Sequence, residues 1–198
     1  MNISRRTFLH SASSVAILAG CPVLLTGCDS SWVATAEKDV PVILQILDSI
    51  LAIAGQASGN GVLVPVAQAA LNTSVAIVQA TLQTISQEIK TYNANPNDTT
   101  LQRITALLVT GQANLNAVLS TIPGAHSQLQ SSISSGINLA LTVLASIQLL
   151  IPQNNATPAS ARRTATAPKK IVVLTPAQIK AQYNTVLLAN GFAKFAVN

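Results

Sequence analysis

Acidic residues are missing from the second half of this 198-residue chain. All six (Asp29, Glu37, Asp39, Asp48, Glu88 and Asp98) precede residue 99, and seven basic residues follow it. Residues 104–161 form a run of 58 positions with no formal charge apart from what His126 can carry. Solubility there rests on Ser, Thr, Asn and Gln, a surface far less charged than the roughly 25–35% of ordinary soluble domains. Such a stretch suits a protein that packs against something or lives beside a membrane. Aromatic residues make up only 3%. A core of Ala, Leu, Ile and Val without large rings favours closely packed helices over a ligand cage.

Catalytic groups are equally scarce. Beyond residue 28 there is one histidine, His126, which falls at the start of a predicted helix and reads as a solvated end residue. General acid–base chemistry usually needs His or a pair of carboxylates with shifted pKa. Asp48 lies within an apolar helix and reads as facing solvent, and Glu88, near a helix end, reads as a surface residue. A di-metal bundle needs several inward Glu residues and Glu-x-x-His pairs, of which there are none. Haem ligation would fall to His126, Tyr92 or Tyr183, and none has a supporting motif. No phosphate-binding or dinucleotide glycine pattern occurs. The expectation is a chain that is not an enzyme and holds no cofactor and no metal.

The two cysteines, Cys21 and Cys28, both sit in the first 28 residues. This segment opens with the basic pair Arg5 and Arg6, then runs through the uncharged "VAILAGCPVLLTG" of residues 15–27. Thirteen residues are too few to span a hydrocarbon core of ~30 Å as a helix, which takes about 20. Basic start, short apolar middle and small residues mark a secretory leader. The string "SRRTFL" of residues 4–9 resembles the twin-arginine export signal: Ser4, Arg5, Arg6, Phe8 and Leu9 fit, and His10 stands where Lys is usual. "LTGC" at 25–28 resembles the lipobox of bacterial lipoproteins, in which the cysteine is acylated and becomes the first residue of the mature chain. "LAGC" at 18–21 fits the same pattern and makes Cys21 a rival. Cys28 is preferred, because a cut at Cys21 leaves a short apolar region and an apolar new terminus. The resemblance implies a mature chain with no thiol for a disulfide or a nucleophile. Two or three acyl chains would anchor it stably. Asp29 resembles the residue that keeps enteric lipoproteins at the inner membrane.

Cut before Cys28, the mature chain has nine basic and six acidic residues, a net charge of +3. Its 171 residues suffice for one domain with a sizeable core. Residues 28–39 read as the lipidated cysteine and a polar tether. A first helix is expected from about Pro41, with a stripe at Ile43, Leu47, Ile50, Ala54 and Ala57 widened by Ile46, Leu51 and Ile53. "SGNG" at 58–61 ends it. A second helix is expected over about 64–92, with Leu71, Val75, Val78, Leu82, Ile85 and Ile89 spaced 4, 3, 4, 3, 4, and Thr81 off that stripe. This is the heptad pattern of helices packed near +20°. A third, capped by Asp98 or Thr99, runs to Ile122 on Leu101, Ile104, Leu108, Gly111, Leu115 and Val118. A fourth runs from about His126 to Ile151 on Leu129, Ile133, Gly136, Ala140, Val143, Ile147 and Leu150, with a second row at Ile137, Leu141, Leu144 and Ile151. Its apolar centre is fifteen residues long, which reads as a core helix and not a membrane span.

Residues 152–174 have the composition of a linker, with basic pairs Arg162–Arg163 and Lys169–Lys170 and a short extended "IVVL". The four bases would contact anionic lipid at about 1 kcal/mol each. Thr175, Pro176 and Gln178 form a helix start with a capping box, and Gly191 stops that last helix.

The sequence therefore predicts an all-α, up-and-down bundle of four main helices over 40–151, with a C-terminal helix over 175–198 on a flexible arm. The function expected is that of an exported lipoprotein of the bacterial cell envelope, acting as a scaffold or binding module. Its expected partners are the membrane, an envelope protein and a second copy of itself. Nucleic acid is not expected, since no aromatic stacking residues accompany the bases. A lipid-handling role for the low-charge helices is the alternative, and an enzyme or cofactor carrier the second.

Overall fold

The computed structural model describes residues 30–121, 127–152 and 173–198. These form five α-helices, α1 (Ser30–Gly59), α2 (Pro65–Ala94), α3 (Asp98–Ser120), α4 (Ser127–Leu150) and α5 (Pro176–Ala189), with one 3₁₀ turn at Ala193–Phe195. No strand occurs among the described residues. Short connections force α1 to α4 to run up and down in turn. Each packs on its neighbour in the chain, and α4 closes back on α1. At ~1.5 Å per residue the 30-residue α1 and α2 are about 45 Å long. α5 lies outside this ring, against α1 and α4.

The heptad stripes are the core. Leu71, Val75, Val78, Leu82, Ile85 and Ile89 of α2 are all buried, and so are Leu101, Ile104, Leu108, Gly111, Leu115 and Val118 of α3. On α4 both rows turn inward, and Leu150 and Leu141 at their edges are half-buried. α1 buries its stripe and Ile46 and Ile53 as well, because α5 covers a second side of it.

α1 differs from expectation at its start. Residues 30–39 are not a polar tether. They are the first turns of α1, eleven residues ahead of Pro41, which sits inside the helix on its exposed face. Trp32, Val33, Ala36 and Val40 extend the apolar stripe of Ile43 upstream and are buried. Trp32 packs on Tyr92 with ring centroids 5.3 Å apart. Burying these side chains outweighs the ~3 kcal/mol that a proline costs within a helix.

The helix ends follow local chemistry. After α1, Gly61 (φ 71°) adopts the left-handed conformation, Gly61 N–H donates to Ser58 O at 2.9 Å and Val62 N–H to Ala57 O at 2.8 Å. Gly191 ends α5 in the same way. Both are Schellman caps. Asn97, one residue ahead of the expected cap, accepts from Thr100 N–H at 2.8 Å, and Asp98 takes the first turn, where the helix dipole favours an acid. α5 starts with the capping box expected of Thr175 and Gln178.

Candidate functional site

The residues expected to carry export, acylation and lipid contact lie outside the described residues. They are Arg5, Arg6, Phe8, Leu9, Cys21, Cys28, Arg162, Arg163, Lys169 and Lys170. His126 and Ile122 lie outside them as well. Asp48 faces solvent as expected, and accepts from Gln79 Nε2 at 2.7 Å, joining α1 to α2. Glu88 is not a plain surface residue. Its side chain is 16% exposed and meets Arg103 Nη1 at 2.9 Å, because α3 packs along that face of α2.

The helix directions gather charge at one end of the bundle. Glu37, Lys38 and Asp39 open α1, Glu88 and Lys90 close α2, and Asp98 and Arg103 open α3. Antiparallel packing brings all seven to the same end. The α1–α2 turn at the opposite end has no charged residue and exposes Val64 and Val66.

Asp39 is the unusual member of this group. It falls on the inward stripe of α1, between Ala36 and Ile43, and is 2% exposed. Its Oδ1 has no hydrogen-bond partner. Burial pushes the carboxyl up to about 6, against a smaller opposing pull from Lys38. A cavity of about 210 Å³ adjoins it, lined on one side by α1 and on the other by Val173, Leu174, Thr175 and Pro176. Leu174 packs on the core, so the described half of the "IVVL" run lies across the bundle.

Tyr183 is another buried polar residue. Its ring is 1% exposed, and burial pushes its phenol up to about 12, against a smaller pull from the Ser49 hydroxyl. Ser49 Oγ itself donates to Phe195 O at 2.8 Å, and Asn184 bonds both N–H and carbonyl of Val197 at 2.8 and 3.0 Å. These bonds strap residues 195–198 to α1 and α5 around a shallow cleft of about 360 Å³ that includes Asp48. Neither Asp39 nor Tyr183 stands out in the sequence. The one readable signal for Asp39 is its place three residues after Ala36 and four before Ile43.

Among the described residues no three His, Cys, Asp or Glu side chains gather into a group that could hold a metal ion. No protein-family model, curated protein or solved structure matches this chain. The residues 31–59 of α1 and the whole of α4 are long and apolar enough to cross a membrane, though both furnish core stripes of the bundle.

Proposed function

We propose that the chain is an exported, lipid-anchored, non-catalytic helical bundle of the bacterial cell envelope, serving as a scaffold or partner-binding module. The observation that carries this reading is the order of signals in residues 4–28: a twin-arginine pattern, a short apolar run and a lipobox ending at Cys28. The start of α1 at Ser30 supports it further. With acyl chains on Cys28, the helix begins two residues from the lipid. The charged end of the bundle then lies at the membrane surface, and the α1–α2 turn with its exposed Val64 and Val66 points away, towards a partner. The Asp at position 29 favours the inner membrane, with the bundle facing the periplasm.

Metabolic labelling with a fatty-acid probe tests the anchor. Cys28→Ser should lose the label and release the protein from membranes, and Cys21→Ser should keep both. A label that survives Cys28→Ser and vanishes in Cys21→Ser reverses the assignment. A protein that stays unlabelled in its native host overturns it. Affinity capture of the detergent-extracted protein from that host then identifies the partner.

A membrane-active role is the second reading, favoured by the length and apolarity of α4 and by the charge-free 104–161 run. A chain without residues 1–28 decides between the two. Cooperative melting in plain buffer supports the scaffold. A molten or aggregated chain that orders only on added lipid vesicles supports the membrane-active reading.

A further inference from the structure

Asp39 sits where its ionisation would act on a separable element. Its carboxyl is buried on the inner stripe of α1 with Oδ1 unpartnered, and residues 173–176 lie over the cavity beside it. The helix end that approaches it supplies little. The N–H groups of Thr175 and Gln178 are spent on the capping box, and Pro176 has none. The cavity does not suit a ligand of its own. A carboxylate would call for a cation, but Lys38 lines the same cavity and the facing wall of Val173 and Leu174 is apolar.

We propose that Asp39 is a pH-sensitive latch for α5. Protonated, it lets residues 173–176 and α5 lie closed on α1 and α4. Ionised, it favours an open state in which they lift and water reaches the carboxylate. α5 is suited to such movement. It has 14 residues and buries three, Ile179, Tyr183 and Leu187, whereas α2 buries eight residues and α4 nine. Elements with few buried contacts open first.

The surrounding charges leave this burial uncompensated. On α1, Lys38 is the one group that favours the ionised form, and Glu37 accepts a bond from Asn93 at 3.4 Å. α4 carries no titratable residue between Ser127 and Leu150. On α5, Lys180 is bonded to the Asn198 carbonyl. At the end of α2, Glu88 is held by Arg103, and Lys90 is exposed. Lys169 and Lys170 precede Val173 in sequence, outside the described residues. The latch is independent of how the chain is anchored. Opening it would uncover the apolar floor of Gly136, Ile46 and Ile50, on which Tyr183 rests.

Amide hydrogen exchange on the full chain at pH 5 and pH 8, corrected for the intrinsic rates, tests the latch. The amides of residues 182–189 should exchange through an opening that grows roughly 10-fold between the two, the rest of the effect being spent between pH 4 and pH 5. About 100-fold is the ceiling set by a two-unit shift. The α2 and α3 amides should be better protected at both values. In Asp39→Asn, which keeps the shape and cannot ionise, the α5 opening should be the same at both. Three results overturn the proposal: α5 opening in the unsubstituted chain that ignores pH, a pH dependence that survives Asp39→Asn, or α5 amides as well protected as those of α2.

Discussion

Tyr183 rests on Gly136. A Cβ built on that glycine would lie 2.9 Å from Tyr183 Cε2 and 3.1 Å from both Ile46 Cγ2 and Ile50 Cδ1. Hydrogen at this one position lets α4, α1 and α5 meet. The ring edge belongs to a buried side chain and the two isoleucines are fully buried, so none can swing away. Gly136→Ala should therefore destabilise the protein by about 1–3 kcal/mol, the usual cost of an overpacked core. Gly55→Ala is the contrast. Its Cβ would meet Gln68 Nε2 at 3.9 Å, an ordinary contact, and Ala should raise helix stability by about 0.5–1 kcal/mol. Urea unfolding followed through Trp32, the single tryptophan, reads both.

Leu82 lies fully buried in the middle of the α2 stripe. Leu82→Ala should cost about 2–5 kcal/mol, a large part of the ~5–15 kcal/mol typical of a domain. Thr81, one step round the helix, is not the silent control that its place off the stripe suggests. It is half-buried, donates to Ile77 O at 2.9 Å and accepts from Asn114 Nδ2 of α3 at 3.2 Å. Thr81→Ala should cost about 0.5–1.5 kcal/mol, the net worth of a hydrogen bond. Gln83→Ala, on the exposed side, should change the midpoint by less than about 0.5 kcal/mol.

The stripes of α2, α3 and α4 were legible because each apolar position recurs at three or four residues and each helix buries one continuous face. The turn glycines and the Thr175 capping box were legible because their chemistry is local. The start of α1 was hidden. Thr35, Glu37 and Lys38 occupy its outer side and give residues 30–39 a polar look, and Pro41 resembles a first-turn residue. What faces Trp32 and Asp39 is distant in the chain: Tyr92 in one case and, across a shared cavity, residues 173–176 in the other. The seat of α5 was equally out of reach, since its stripe of Ile179, Tyr183 and Leu187 does not say which groove receives it. The charged end of the bundle could have been read from the helix order, because alternating directions place the starts of α1 and α3 beside the end of α2.

Export offers a separate check. A twin-arginine receptor reads the arginine pair itself, whereas a general secretory signal needs only positive charge. Changing Arg5 and Arg6 together to Lys keeps the charge and should leave the protein, with its leader uncut, inside the cell. Cell fractionation and blotting measure this, and unchanged export of the double variant would remove the twin-arginine route.

The pH dependence of overall stability follows from Asp39. Its carboxyl titrates near 6 in the folded protein against 3.8 when unfolded, chiefly through burial. Between those values the folded state holds more protons than the unfolded one. The contribution of this group is therefore most favourable below about pH 4, declines as pH rises towards 6, and stays low above that. A shift of about two units corresponds to roughly 3 kcal/mol, as an upper bound. Asp39→Asn removes the titration while leaving an amide of the same shape. Its stability relative to the unsubstituted chain should rise from pH 4 to pH 7 and level off, with Asn ahead by up to a few kcal/mol at neutral pH. The difference between the two chains cancels the other carboxylates, which titrate alike in both. Urea midpoints at pH 4, 5, 6 and 7.5 give the curve. A difference that stays flat across the series would mean that the Asp39 carboxyl is already compensated in the folded protein.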